Sequence, residues 1–136
     1  MVLIYRARAM SASYSDQPQV DLSIYRQSML RQQQQRDDAC AARFQHAWAV
    51  AKQASQHLKH GYNIKHVWLF GSLLHQPWFT LSSDIDLAVE HVSPDQYLTA
   101  LANLQDISPK FKIDLVQLDK CPHYLRDKIL SEGQLL

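Results

Sequence analysis

Three aspartates lie in apolar surroundings that are typical of β-strands. Asp84 and Asp86 are separated by a single isoleucine, and aliphatic residues follow them. Side chains two positions apart on a strand point to the same face, so these carboxylates repel each other unless a cation lies between them. Asp114 lies in a similar segment, between an isoleucine and a leucine. Such oxygen ligands favour a hard divalent ion, Mg²⁺ ahead of Zn²⁺.

The alternative for any single one of these acids is that it faces water on a strand surface. The three together favour a site, because perturbed acid clusters concentrate at functional sites. If their strands are neighbours, the carboxylates converge on one patch with enough ligands for two metal ions. The sequence therefore predicts a metal site formed by Asp84, Asp86 and Asp114.

A glycine–serine pair ends the strand-like segment that precedes the aspartates. Gly71 permits a tight turn in which the backbone approaches a ligand closely, and the amide and hydroxyl groups that follow can donate to phosphate oxygens. The pair is a weak motif alone and gains its value from its position, a dozen residues before Asp84. We therefore predict a phosphate-binding turn at Gly71 and Ser72.

The elements that must position these residues follow from hydrophobic periodicity. Residues 1–22 show no sustained period and are predicted to form a flexible arm, which leaves residues 23–136 for the domain. The pattern predicts helices at about 23–60, 93–104 and 122–132, and strands at 65–70, 84–89 and 112–118. This order predicts an α/β fold, a small mixed sheet with helices packed on one side and a long N-terminal helix.

The long first helix is predicted to have two different halves. Its second half carries an apolar stripe that is expected to pack on the core, whereas the glutamine-rich run at 31–36 faces either water or a partner. Ser23 is a candidate N-cap and Gly61 the expected stop. On the later helices, the residues expected to face inward are Tyr97, Leu98, Leu101 and Leu104, and then Tyr124, Leu125 and Ile129. In the loop at 72–83, the sequence leaves four roles open for Trp78 and Phe79: a lid, a stacking surface, a partner contact, or ordinary packing within the loop.

The composition narrows the classes of partner. A formal net charge of +1 over 136 residues provides no general field for nucleic acid, and no apolar run is long enough to span a bilayer. Neither direct nucleic-acid binding nor membrane insertion is expected. The two cysteines, Cys40 and Cys121, lie far apart in sequence and form no CxxC pair, so a cytoplasmic location is expected.

Three segments together resemble a known family. They are Leu69-Phe70-Gly71-Ser72, Ser83-Asp84-Ile85-Asp86-Leu87 and Lys112-Ile113-Asp114-Leu115-Val116. Their order and spacing resemble the polymerase-β-like nucleotidyltransferase superfamily, and more closely the minimal nucleotidyltransferases that act as antitoxins to HEPN-domain toxins. The segment 125–133 is similar to the C-terminal helix of that group, so the resemblance covers about residues 40–136.

The resemblance implies a role for each part of the motif. Asp84 and Asp86 would hold two Mg²⁺ ions on the phosphates of ATP, and Asp114 would complete the metal site and help to deprotonate the attacking hydroxyl. Gly71 and Ser72 would grip the β- and γ-phosphates. Two further residues are assigned to nucleotide binding, namely Ser83, just before the paired acids, and His75, which stands where relatives often carry an arginine.

The function implied by this resemblance is that of an antitoxin enzyme. It would transfer AMP from ATP to a tyrosine of a cognate HEPN-domain RNase toxin, silence it, and form a hetero-oligomer with it. One alternative is an antitoxin that occludes its toxin by binding alone. Another is nucleotidyl transfer to a small molecule such as an aminoglycoside.

Overall fold

The computed structural model describes residues 21–136, so the predicted arm at 1–22 lies outside the described residues except for its last two positions. The described residues belong to two compact units, an N-terminal unit ending at Gln35 and a second unit, Arg36–Leu136. The elements are helix α1 (Leu22–Tyr62), strand β1 (Val67–Phe70), strand β2 (Ile85–Val89), helix α2 (Pro94–Ile107), strand β3 (Ile113–Gln117), helix α3 (His123–Glu132) and strand β4 (Gln134–Leu135). Two short 3₁₀ helices, Gly71–Leu74 and Gln76–Trp78, follow β1.

Helix α1 is the long helix that the periodicity predicts, but both of its ends differ from the prediction. At the start, the Asp21 carboxylate accepts hydrogen bonds from the amide (2.9 Å) and hydroxyl (2.6 Å) of Ser23, so Asp21 rather than Ser23 occupies the capping position. These bonds hold the pKa of Asp21 below its usual value. At the other end the helix runs past Gly61, and Asn63 takes the left-handed conformation, with φ of 55°.

The four strands form one mixed sheet in the order β3-β2-β1-β4. Strand β1 pairs antiparallel with both β2 and β4, and β2 pairs parallel with β3. The sequence did not predict β4, because a two-residue strand directly after a helix is too short to show a period.

The two faces of the sheet are covered by different helices. On one face, α1 and α2 enclose the main core, which includes Leu58, Leu69, Leu87 and Leu104. On the other face, Ile129 of α3 packs against β2 and β3 in a smaller cluster. The predicted placement of helices on one side therefore holds for α1 and α2, while α3 lies on the opposite face.

Two apolar residues that were expected to face inward are exposed. Leu98 on α2 is 66% exposed and Tyr124 on α3 is 76% exposed, so both predictions were wrong. Ala100 replaces Leu98 in the core because it occupies the same helix face as Leu104.

None of the helices in residues 21–136 is long and apolar enough to cross a membrane. Both cysteines are free thiols.

Candidate active site

Strand register brings two of the three predicted acids side by side. Strands β2 and β3 pair so that Asp86 lies opposite Asp114. Strand β1 places Phe70 opposite Asp86, so the chain leaves β1 beside that carboxylate and turns at Gly71. These positions lie on the face of the sheet that α3 covers, because they alternate with the residues buried under α1 and α2.

Gly71 is the point of closest approach between the turn and the acids. Its φ is +81°, in the left-handed region that side chains disfavour. A Cβ atom built on Gly71 would collide with the Asp86 carboxylate oxygen Oδ2 and lie 3.2 Å from its Cγ. Only glycine therefore allows the turn to lie against the carboxylate.

Asp86 is electrostatically strained. Its pKa is raised to about 6, first by partial burial, then by the negative charges of Asp114 and Asp84 and by a hydrogen bond between the Asp86 and Asp114 side chains. Lys112 opposes the shift and lies 3.6 Å from Asp114 Oδ1, but its side chain is largely exposed. The cluster thus carries more negative charge than its surroundings neutralise.

The donor set fits a hard divalent cation. All three side chains supply carboxylate oxygens, and a cation among them would relieve the repulsion that raises the Asp86 pKa. Among residues 21–136, no three acidic, histidine or cysteine side chains already form a ligand cage. Asp84, which directly precedes β2, and the two strand acids would have to draw together around an ion.

A cleft of about 320 Å³ lies between the glycine–serine turn and α3. Gly71, Ser72 and His75 line it from the turn, and the His75 ring contacts the Trp78 ring at 4.4 Å between centroids. The opposite wall is one face of α3, made by Leu125, Lys128, Ile129 and Glu132. This wall was not predicted from the sequence as part of the site. The three- and four-residue spacing of its members does place them on one helix face.

Trp78 and Phe79 have different environments. Phe79 is buried and packs edge-on against Phe44 of α1, with 5.5 Å between ring centroids, so loop packing is the correct alternative for it. Trp78 is 68% exposed at the rim of the cleft.

Ser83 lies in a different environment from the other predicted nucleotide-binding residues. Its hydroxyl accepts a hydrogen bond from the Thr80 amide (2.8 Å) and lies 3.1 Å from the Thr80 hydroxyl. Ser83 is not among the residues that line the cleft, and neither are Asp84, Asp86 and Asp114. The structure therefore groups Gly71, Ser72 and His75 at the cleft, and nucleotide binding by Ser83 stays a prediction.

Comparison with known proteins identifies the family of this fold. The sequence model of the family described as Polymerase beta, Nucleotidyltransferase matches residues 52–136. No curated protein matches the sequence. The fold is similar to a chain in the "Crystal structure of the toxin-antitoxin with AMP-PNP", with a TM-score of 0.50 and 22% identity over 61% of this chain and 69% of that chain. The family match covers more than half of the chain, and the chain therefore belongs to the polymerase beta nucleotidyltransferase family.

Proposed function

We propose that this nucleotidyltransferase is an antitoxin that transfers AMP from ATP to a tyrosine of a HEPN-domain toxin. The main support is the contact between the Gly71 turn and Asp86, with Asp114 in register beside it. Metal-assisted nucleotidyl transfer requires a phosphate-binding turn beside a carboxylate cluster. The turn donates hydrogen bonds to the phosphate oxygens, and the carboxylates hold the metal that offsets their negative charge.

The reaction is an in-line displacement at the α-phosphorus of ATP. The tyrosine oxygen forms a bond to phosphorus as the bond to the pyrophosphate oxygen breaks, so pyrophosphate leaves and AMP stays on the tyrosine. Asp114 accepts the tyrosine proton. Mg²⁺, when bound by Asp84, Asp86 and Asp114, supplies the positive charge that offsets the phosphates.

The chain's own groups bind and orient the nucleotide. The amides at Gly71 and Ser72 and the Ser72 hydroxyl donate to the β- and γ-phosphate oxygens at the mouth of the cleft. His75 and Trp78, whose rings contact each other, form an aromatic wall beyond the turn. The α3 wall brings one positive charge, Lys128, and one negative charge, Glu132, to the same cleft.

A protein acceptor is supported by two observations. The structure with a similar fold is described as a toxin-antitoxin with AMP-PNP. In the N-terminal unit, Leu22, Tyr25 and Met29 on the first half of α1 are all more than half exposed, and their spacing places them on one helix face. An exposed apolar stripe of this kind favours a protein partner and a hetero-oligomer.

The test is AMP transfer between purified proteins. The acceptor to test is an all-helical protein with an Arg-x4-His-x-Tyr motif, sought in the reading frame next to the one that encodes this chain. After incubation with ATP and Mg²⁺, intact-mass spectrometry should show AMP adducts on this acceptor, mapped to a tyrosine. Asp86→Asn, which is nearly isosteric, should abolish the adducts, whereas Asp95→Asn on α2 should leave them unchanged. An unmodified acceptor with active wild-type protein would rule out the transfer.

Binding-only neutralisation is the second candidate, and His75 favours it. Its ring contacts Trp78, and it stands where relatives often carry an arginine that would meet the triphosphate. A variant with Asp84, Asp86 and Asp114 all changed to asparagine separates the two functions. If this variant protects cells from the toxin as well as the wild type does, occlusion rather than catalysis neutralises the toxin.

A further inference from the structure

Arg43 on α1 links the two segments that lead into the acid-bearing strands. Its Nη2 donates to the carbonyl oxygen of Ser83 (3.0 Å), and its Nη1 donates to the carbonyl oxygen of Lys110 (3.2 Å). Ser83 directly precedes Asp84, and Lys110 lies four residues before Asp114. One guanidinium group thus contacts the backbone of both segments that lead into the acid-bearing strands.

We propose that Arg43 is a positioning residue that holds the entries to β2 and β3 together and so sets the spacing of the metal-binding carboxylates. This inference rests on the proposed metal-assisted nucleotidyl transfer.

The position of the guanidinium is fixed by more than these two hydrogen bonds. It lies over the Phe111 ring, with 4.3 Å from Cζ to the ring centroid, and Phe111 is itself buried in the main core. Its Nε is buried without a hydrogen-bond partner in residues 21–136. Buried donors without a partner are uncommon in folded proteins. The ring contact and the two hydrogen bonds therefore outweigh the cost of burying this nitrogen.

The backbone hydrogen bonds between β2 and β3 do not extend to the residues that Arg43 contacts. The amide of Ile85 donates to the Lys112 carbonyl oxygen at 3.0 Å, which is the first bond between the two segments. Asp84 lies before this bond and outside β2. Arg43 therefore supplies a link where backbone pairing has not yet begun.

The charges in the cluster make such a link necessary. Asp84 and Asp114 both act on Asp86 with like charge, and this repulsion favours separation of the strand ends. Arg43 opposes separation by bonding to the backbone and leaves the carboxylate oxygens available. Lysine has a single ammonium group in place of the planar fork, so it cannot hold two carbonyl oxygens and stack on a ring at once.

The test measures Mn²⁺ affinity by electron paramagnetic resonance, using the full chain under conditions where circular dichroism shows each variant to be folded. Arg43→Gln and Arg43→Lys should each weaken Mn²⁺ binding by about ten-fold or more, the range seen when residues that orient metal ligands are lost. Arg36→Gln removes the same charge from the same helix and should bind Mn²⁺ as the wild type does.

Ser93→Ala separates positioning from general stability. The Ser93 side chain caps α2 by accepting a hydrogen bond from the Gln96 amide (3.3 Å), so its loss weakens the fold without removing a contact to β2 or β3. We expect this variant to lower the unfolding temperature but keep wild-type Mn²⁺ affinity. If Ser93→Ala loses as much Mn²⁺ affinity as Arg43→Gln, the role of Arg43 is structural only, and the proposal is overturned.

Asp86→Asn distinguishes failure of this proposal from failure of the proposed function. If Asp86→Asn loses Mn²⁺ binding while both Arg43 variants stay within about two-fold of the wild type, Arg43 is not a positioning residue and the metal site stands. If Asp86→Asn binds Mn²⁺ like the wild type, the carboxylates are not the metal site, and both proposals fail.

Discussion

The proposed function depends on three carboxylates, which were identified in the sequence from their spacing. The sequence predicted that Asp84, Asp86 and Asp114 would share one patch, and the strand register brings Asp86 and Asp114 side by side. It did not predict the raised pKa of Asp86, because burial depends on tertiary packing. For the same reason it could not predict the hydrogen bond that the Ser83 hydroxyl accepts from the Thr80 amide.

Replacing Asp86 by asparagine should stabilise the metal-free protein at neutral pH. Its pKa is about 6 in the folded state against an ordinary value of 3.8, so the folded protein binds this proton more tightly than the unfolded chain. The free energy of unfolding therefore falls as the pH rises from 3.8 to about 6, and it stays low at higher pH. Urea unfolding in EDTA should show a gain of about 1–3 kcal/mol for Asp86→Asn at pH 7.

The same gain should disappear in acid. Below the ordinary pKa of 3.8 both folded and unfolded wild-type chains carry a neutral carboxyl group, which resembles asparagine. A variant that is less stable than the wild type at pH 7 in EDTA would contradict the strained carboxylate described above.

Gly71→Ala should destabilise the fold. The new Cβ would collide with Asp86 Oδ2, and alanine disfavours a φ of +81°, so we expect a loss of about 1–3 kcal/mol in the free energy of unfolding. Gly61→Ala is the matched control. Nothing lies within 4 Å of a Cβ at Gly61, which is inside α1, so alanine should stabilise by about 0.5–1 kcal/mol. Equal effects of the two substitutions on the unfolding midpoint would refute the close approach at Gly71.

Helices and strands were predictable to the extent that their periods were long enough to read. The apolar stripe of α1 predicted the burial of Ala47 and Leu58, and three strands lie where their aliphatic runs indicated. Strand β4 and the helix end at Asn63 escaped prediction, since each depends on a few residues whose conformation is set by their neighbours. Of the four residues expected on the inner face of α2, Tyr97, Leu101 and Leu104 pack in or against the core, whereas Leu98, one position from Tyr97, is exposed.

Strand β3 lies at the edge of the sheet, and side chains of α2 donate hydrogen bonds to its outer carbonyl oxygens, where a further strand would otherwise pair. The Tyr97 hydroxyl donates to the Leu115 carbonyl oxygen (2.8 Å), and the Gln105 amide donates to the Ile113 carbonyl oxygen (2.6 Å). These two carbonyl groups flank Asp114 in sequence. The edge strand that bears Asp114 is thus tied to a helix on both sides of that residue.

Tyr97→Phe should cost about 1–2 kcal/mol in the free energy of unfolding, because it leaves the Leu115 carbonyl group without this donor in a half-buried position. Leu98→Ala, on the exposed side of the same helix, should change stability by less than about 0.5 kcal/mol. Chemical denaturation of both variants measures the difference. A larger loss for Leu98→Ala would show that α2 packs through its other face.

The molecule as a whole combines a nucleotidyltransferase unit with an N-terminal unit. The main and smaller core clusters are formed by residues between Cys40 and Leu136, all within the second unit. The order of the periodic segments correctly indicated a mixed α/β protein. It could not show how the chain divides into units, because the helical pattern continues without a break across Gln35 and Arg36.

A fragment of residues 36–136 should fold cooperatively. Its hydrophobic core is complete within those residues, so we expect its urea midpoint to lie close to that of the full chain. Circular dichroism during urea unfolding checks this. A fragment that lacks a cooperative transition would show that the N-terminal unit is required for the second unit to fold.

The proposed chemistry is tested most directly by the position of the phosphate that reaches the acceptor. The wild-type chain, Mg²⁺ and the HEPN-domain acceptor are incubated with ATP labelled at either the α- or the γ-phosphate, and protein-bound label is counted. We expect label from the α-phosphate only, reduced at least about a hundred-fold by Asp86→Asn, as for loss of a group that stabilises the transition state. Label from the γ-phosphate, or α-label that Asp86→Asn leaves undiminished, would contradict nucleotidyl transfer at this carboxylate cluster.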